Sequence, residues 1–83
     1  MYKITKTIGD TKTINLVFNY ADKAQEVFND LKYDEFVRFK MLDEGRINKE
    51  TREERVNGEV VYKEYRLSTP TFSVTITLQY TED

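Results

Sequence analysis

Three of the adjacent acidic pairs, Asp34-Glu35, Asp43-Glu44 and Glu53-Glu54, are the residues of this 83-residue chain with the most obvious chemical potential. Paired carboxylates can hold a hard cation such as Mg²⁺, or divide acid and base roles between them. The spacing suits neither use. A calcium loop alternates oxygen ligands around a glycine at a sharp turn, and no such run occurs. Neighbours on a strand also point to opposite faces. The chain has neither His nor Cys. That removes the imidazole base, the thiolate nucleophile, Cys-ligated zinc and the Ser-His-Asp arrangement. Carboxylates, Lys, Tyr, Ser68 and Ser73 remain, so no enzyme, cofactor or metal site is expected. A carboxylate-based metal-dependent enzyme is the residual chemical alternative.

Charge patterns point instead to contact with another macromolecule. Asp22, Glu26 and Asp30 recur at i, i+4, i+8, with Asp34 beyond, so a helix there carries an acidic stripe. Its plainest explanation is a solvated helix face. Its functional explanation is a patch that steers a basic partner surface. A second segment, Arg46 to Arg66, interleaves Arg46, Lys49, Arg52, Arg55, Lys63 and Arg66 with Tyr62 and Tyr65. Basic groups beside aromatics serve single-stranded nucleic acid through phosphate contact and base stacking. Here Glu50, Glu53, Glu54, Glu59 and Glu64 nearly cancel that charge, and cross-strand ion pairing accounts for the pattern. Tyr and Arg are enriched at protein–protein hot spots, which makes Tyr62 and Arg66 candidate anchors. The net charge of -2 gives no bias toward nucleic acid over the whole chain.

The elements that must position these groups follow from periodicity. Phe72 to Tyr80 alternates Phe72, Val74, Ile76, Leu78 and Tyr80 with uncharged Ser73, Thr75, Thr77 and Gln79, a strand with one buried face. It is expected to be central, and its Thr-rich face is a third candidate interface. Tyr2–Ile8 and Thr13–Tyr20 alternate similarly around Gly9-Asp10-Thr11. Pairing their even-numbered residues predicts a hairpin loop of three to five residues. Ala24, Val27, Phe28 and Leu31 form an apolar helical stripe. Asn19 followed by Asp22 resembles a capping box. The helix is expected to end near Tyr33, because Asp34, Glu35 and Arg38 interrupt the stripe. Alternating Val37, Phe39 and Met41 then favour a strand over 36–42, with a second short helix as the alternative, followed by a turn at Asp43-Glu44-Gly45. Asn57-Gly58 predicts a type I′ hairpin that opposes Val56 to Glu59 and Glu54 to Val61. Its first strand has little to bury and belongs at an edge.

The order strand–strand–helix–strands, with runs such as Glu26-Val27-Phe28 and Thr71-Phe72-Ser73-Val74-Thr75, resembles the β-grasp architecture of immunoglobulin-binding bacterial domains. The polar arm from Arg46 to Leu67 departs from it, and no binding residue carries over. The expected fold is a single α+β domain, one helix packed on a mostly antiparallel sheet of five to six strands. Its expected core is Ile4, Ile14, Leu16, Phe18, Val27, Phe28, Leu31, Val74, Ile76 and Leu78. No stretch approaches the ~20 apolar residues of a membrane span, and Met1-Tyr2-Lys3 begins no apolar leader, so a cytoplasmic protein with no membrane partner is expected. The expected function is a small non-enzymatic protein-binding module, such as a phage- or plasmid-type inhibitor, using Asp22, Glu26, Asp30, Arg55, Tyr62 and Arg66. The alternatives are an RNA or single-stranded nucleic-acid binder using the hairpin, and homodimerisation by edge strands.

Overall fold

A computed structural model describes residues 1–42, 47–70 and 72–82. The turn expected at Asp43-Glu44-Gly45, and Arg46 after it, lie outside the described residues. Strands β1 (Tyr2–Ile8) and β2 (Thr11–Phe18) precede a helix α1 (Ala21–Leu42). Strands β3 (Asn48–Val56), β4 (Glu59–Thr69) and β5 (Phe72–Tyr80) follow. All five join one sheet in the order β2-β1-β5-β4-β3, every pairing antiparallel. The fold is α+β, one helix on one sheet, with β5 central as its pattern requires. No helix among the described residues is long and apolar enough to cross a membrane.

The helix is longer than its apolar stripe implies. Residues 36–42 continue α1 and form no strand. The inward line Ala24, Phe28, Leu31 has Glu35 as its next member, four residues after Leu31. Glu35 is 1 % exposed. On β1 the inward row Tyr2, Ile4, Lys6, Ile8 is likewise interrupted by one charge, and Lys6 is buried too. The two meet: Lys6 Nζ donates to Glu35 Oε1 beneath the helix. Each charge looks like a defect on an apolar face, and each is the other's partner. Arg38, mostly exposed, approaches the same Oε1 at 3.5 Å from the solvent side. At the helix start, Ala24 N donates to Tyr20 O at 3.1 Å, so Tyr20 stands at the N-cap, with Asn19 one residue before it.

Two β-bulges correct the expected registers. Ile8 faces Thr11 across a two-residue turn, not a loop of three to five, with Gly9 at φ +59. The register then shifts between Lys6 and Thr7, leaving Thr13 as the extra residue, whose hydroxyl donates to Lys6 O at 3.3 Å. The bulge restores the even pairing, Ile4 with Leu16. In the second hairpin Asn57 and Gly58 both take positive φ, +53 and +81, as a type I′ turn requires. Val56 faces Glu59 as expected, but a shift after Arg55 sets Glu54 against Tyr62 and leaves Val61 unpaired. Thr51 therefore faces Tyr65, and Lys49 faces Leu67.

The buried core is Ile4, Ala24, Phe28, Tyr65, Leu67, Val74, Ile76 and Leu78. Ile14, Phe18, Val27 and Leu31 are only half-buried, and Leu16 is exposed. For Ile14, Leu16 and Phe18 the reason is position: β2 is an edge strand, covered on one flank only, while Val27 and Leu31 pack against the core from its margin on α1. Tyr65 and Leu67 enter the core because β4 lies next to the central strand. Helix α1 packs across β5, β1, β2 and β4; among the described residues it makes no comparable approach to β3.

Candidate partner-binding groove

Leaving β3 without a helix above it opens a groove along one flank of α1. On that flank Lys32 and Phe36 stand one turn apart, beside Phe28. From below come the inward residues of β4, Lys63 and Tyr65, and of β3, Lys49, Thr51 and Glu53. The main hollow encloses about 470 Å³, lined by Phe28, Lys32, Thr51, Glu53, Lys63 and Tyr65 among others. A smaller one of about 170 Å³ shares Lys32 and Tyr65 with it and adds Tyr33, Phe36 and Lys49.

The lysines in this groove stand over aromatic rings. Lys32 Nζ lies 5.3 Å from the centroid of Tyr65, Lys63 Nζ 5.7 Å from Phe28, and Lys49 Nζ 5.9 Å from Phe36. Lys40 reaches the Phe36 ring as well, at 5.5 Å. The ring quadrupole attracts an ammonium and restricts a side chain that is otherwise free to swing. Three cations face the two hollows, Lys32, Lys49 and Lys63, against Glu53, while Arg52 and Glu64 at the rim turn their side chains to the outer face of the sheet. The groove is therefore cationic on a chain whose net charge is -2. Glu53 is already engaged, accepting from Arg55 Nε at 2.8 Å and lying 3.9 Å from Lys63. Burial pushes the Tyr65 hydroxyl above its ordinary pKa.

The six residues singled out by sequence do not converge. Asp22, Glu26 and Asp30 lie exposed on the solvent side of α1, with Lys23 3.9 Å from Glu26. Tyr62 and Arg66 point to the opposite side of the molecule, the outer face of the sheet. There the Tyr62 hydroxyl donates to Glu64 Oε1 at 2.9 Å, and Arg66 Nε donates to Thr75 Oγ1 at 3.2 Å. The hairpin and the Thr-rich face are thus one surface. Its rows run across strands, Asn15–Thr5–Thr77–Glu64–Arg52 being one of them, with the Thr5 and Thr77 hydroxyls hydrogen-bonded to each other. Burial, then the Glu64 hydrogen bond and charge, raise the pKa of Tyr62. Arg55 braces its own turn by donating to Glu53 and, at 3.1 Å, to Gly58 O.

Sequence periodicity missed Lys32, Phe36 and Lys49 as a group because their meeting requires α1 to run past Tyr33. The available signal was the i, i+4 spacing of Phe28, Lys32 and Phe36. Among the described residues no three acidic side chains gather to hold a metal; Asp43 and Glu44 lie outside them. No protein-family model, curated protein or solved structure matches the chain, so the likeness to β-grasp domains rests on element order and short runs of residues.

Proposed function

We propose that this chain is a non-enzymatic module that binds another protein through the groove between α1 and β3, with Lys32, Lys49 and Lys63 receiving acidic side chains of that partner. The observation that carries the proposal is the set of lysines held over aromatic rings in one concave site. A cationic hollow with pre-positioned donors gives a partner both steering and a register. Nucleic acid is less well served by the same residues. Base stacking needs open ring faces, and Phe28 and Tyr65 are each only 3 % exposed beneath their lysines. Carboxylates need only the ammonium tips.

The experiment is capture from lysate by three immobilised forms of the chain. These are the wild type, the groove variant Lys32→Glu/Lys49→Glu/Lys63→Glu, and the outer-face variant Tyr62→Ala/Arg66→Ala. The proposal requires one protein to be recovered by the wild type and the outer-face variant and lost from the groove variant. Recovery that tracks the outer face transfers the function to Tyr62 and Arg66. Recovery of nuclease-sensitive material replaces the protein partner with nucleic acid.

A further inference from the structure

The charges of β3 are arranged so that the strand is complementary to itself. Strand β3 is the outermost strand of the sheet, nine residues long with every residue exposed, and has a neighbour on one side only. Such an edge offers a row of backbone donors and acceptors to any passing strand, and charged side chains ordinarily keep strangers away. Here Lys49, Glu50, Arg52, Glu53, Glu54 and Arg55 supply the charge.

Two copies related by a two-fold axis normal to the sheet pair β3 antiparallel, and opposed residues share a face. Opposed residue numbers then have a constant even sum, which leaves few registers. With Arg52 on the axis, Arg52 meets the partner's Arg52, Glu50 meets the partner's Glu54 and Lys49 meets the partner's Arg55, all like charges. With Glu50 or Glu53 on the axis, that glutamate meets its own copy. With Thr51 on the axis, Glu50 meets the partner's Arg52 and Lys49 meets the partner's Glu53. Each of these pairs occurs twice by symmetry, and Thr51 meets the partner's Thr51. No like charges are then opposed between Asn48 and Glu54.

We infer that this chain forms a homodimer by antiparallel pairing of β3 with β3 about Thr51, joining two five-stranded sheets into one. The occupant of the edge is a second copy because the Thr51 register opposes four unlike-charge pairs and no like ones, whereas every register centred on a charged residue of β3 sets that residue against its own copy. Since opposed residues share a face, both α1 helices lie on the same side of the joined sheet. The two cationic grooves then face each other across the axis, with Lys49 near the seam. The inference concerns the edge of β3; because Lys49 and Glu53 also line the groove, its charge-reversal test uses Glu50 and Arg52, which lie on the outer face.

Charge reversal supplies the test. Glu50→Arg alone sets Arg against Arg52 of the partner, and Arg52→Glu alone sets Glu against Glu50 of the partner. An equimolar mixture of the two variants restores opposite charges at both positions. Light scattering should give the wild type twice the 9.9 kDa chain mass, each variant alone the single mass, and the mixture the doubled mass again. Circular dichroism of each variant reports whether it is folded. The register is tested separately with Thr51→Cys, in a chain that has no other cysteine. Opposed Cα atoms lie ~4.5–5.5 Å apart, within disulfide range, so oxidation should link this variant covalently into dimers. Lys49→Cys, opposed to Glu53 of the partner, should not link. A monomeric wild type overturns the inference. So does a dimer indifferent to Glu50→Arg, which would place the contact on the other edge, β2 with its exposed Leu16 and Val17. Linking of Lys49→Cys in preference to Thr51→Cys overturns the register.

Discussion

Replacing Lys6 with Met should destabilise the protein far more than an ordinary surface lysine would, and replacing Glu35 as well should reverse the loss. In the Lys6–Glu35 pair the side chains are 9 % and 2 % exposed, and Glu35 Oε2 is buried with no hydrogen-bond partner. Removing one member of a buried pair typically costs about 3–5 kcal/mol, because the surviving charge stays desolvated and uncompensated. Arg38, 3.5 Å from Glu35, remains available after Lys6→Met, so the lower end, ~3 kcal/mol, is the expectation. A domain of this length is stable by roughly 4–12 kcal/mol, so the single variant loses a large share of its stability. With a urea m-value of roughly 1–2 kcal/mol/M, the midpoint of unfolding should fall by ~1.5–3 M. The double variant Lys6→Met/Glu35→Leu keeps the volumes close and removes the orphaned Oε2. It should be at least as stable as the wild type, by up to ~4 kcal/mol in comparable replacements. Urea unfolding followed by far-ultraviolet circular dichroism on all four forms closes the cycle. A Lys6→Met cost below ~1 kcal/mol, or a double variant as unstable as the two singles combined, would refute the reasoning.

Three further outcomes test the packing and the turn. Leu78→Ala should cost ~2–5 kcal/mol, whereas Leu16→Ala, equally apolar in pattern but exposed on β2, should cost under ~1 kcal/mol by the same urea assay. Gly58→Ala meets no atom within 4 Å, so its penalty is the backbone strain of φ +81 alone; ~1–2 kcal/mol should lower the melting temperature by ~4–16 °C in a domain of this size. The raised pKa of Tyr65 makes the folded state hold its proton more tightly than the unfolded chain does. That stability is therefore complete below the ordinary value of 10.0 and lost as pH rises through the higher folded value. Tyr65→Phe should make the fall in melting temperature above pH 10 shallower, and an unchanged alkaline slope would remove Tyr65 from its causes.

Local pattern was enough to find all five strands, the start of the helix and the type I′ turn, since each rests on residues close in sequence. The helix end was not legible, because Glu35 belongs inside only when Lys6 lies opposite it. That contact spans 29 positions and has no local signature. The bulges at Thr13 and Val61 were invisible for a related reason. Each lets a tight turn coexist with the pairing that suits the strands beyond it, a compromise between two preferences that periodicity reads separately. The slip at Val61 also decides which residues of β3 face the groove. The candidate site was accordingly half legible: Lys49 and Lys63 were marked as basic residues beside aromatics, but the rings they sit on, Phe36 and Phe28, come from the helix.

The ends of the sheet also set how the protein responds to force. Tyr2 and Tyr80 are paired across β1 and β5, their ring centroids 5.0 Å apart, and Thr81 N donates to Met1 O at 2.9 Å. Strands β1 and β5 run antiparallel away from that point. A load applied through Met1 and Glu82 therefore pulls on the first rung of a ladder and peels the rungs one after another. Parallel strands loaded at opposite ends would have to shear every rung at once. Rungs broken singly resist weakly, each net bond being worth only about 1 kcal/mol. The seam between β1 and β5 brings Ile4, Ile76 and Leu78 into the buried core, and under load it is the sheet's zip.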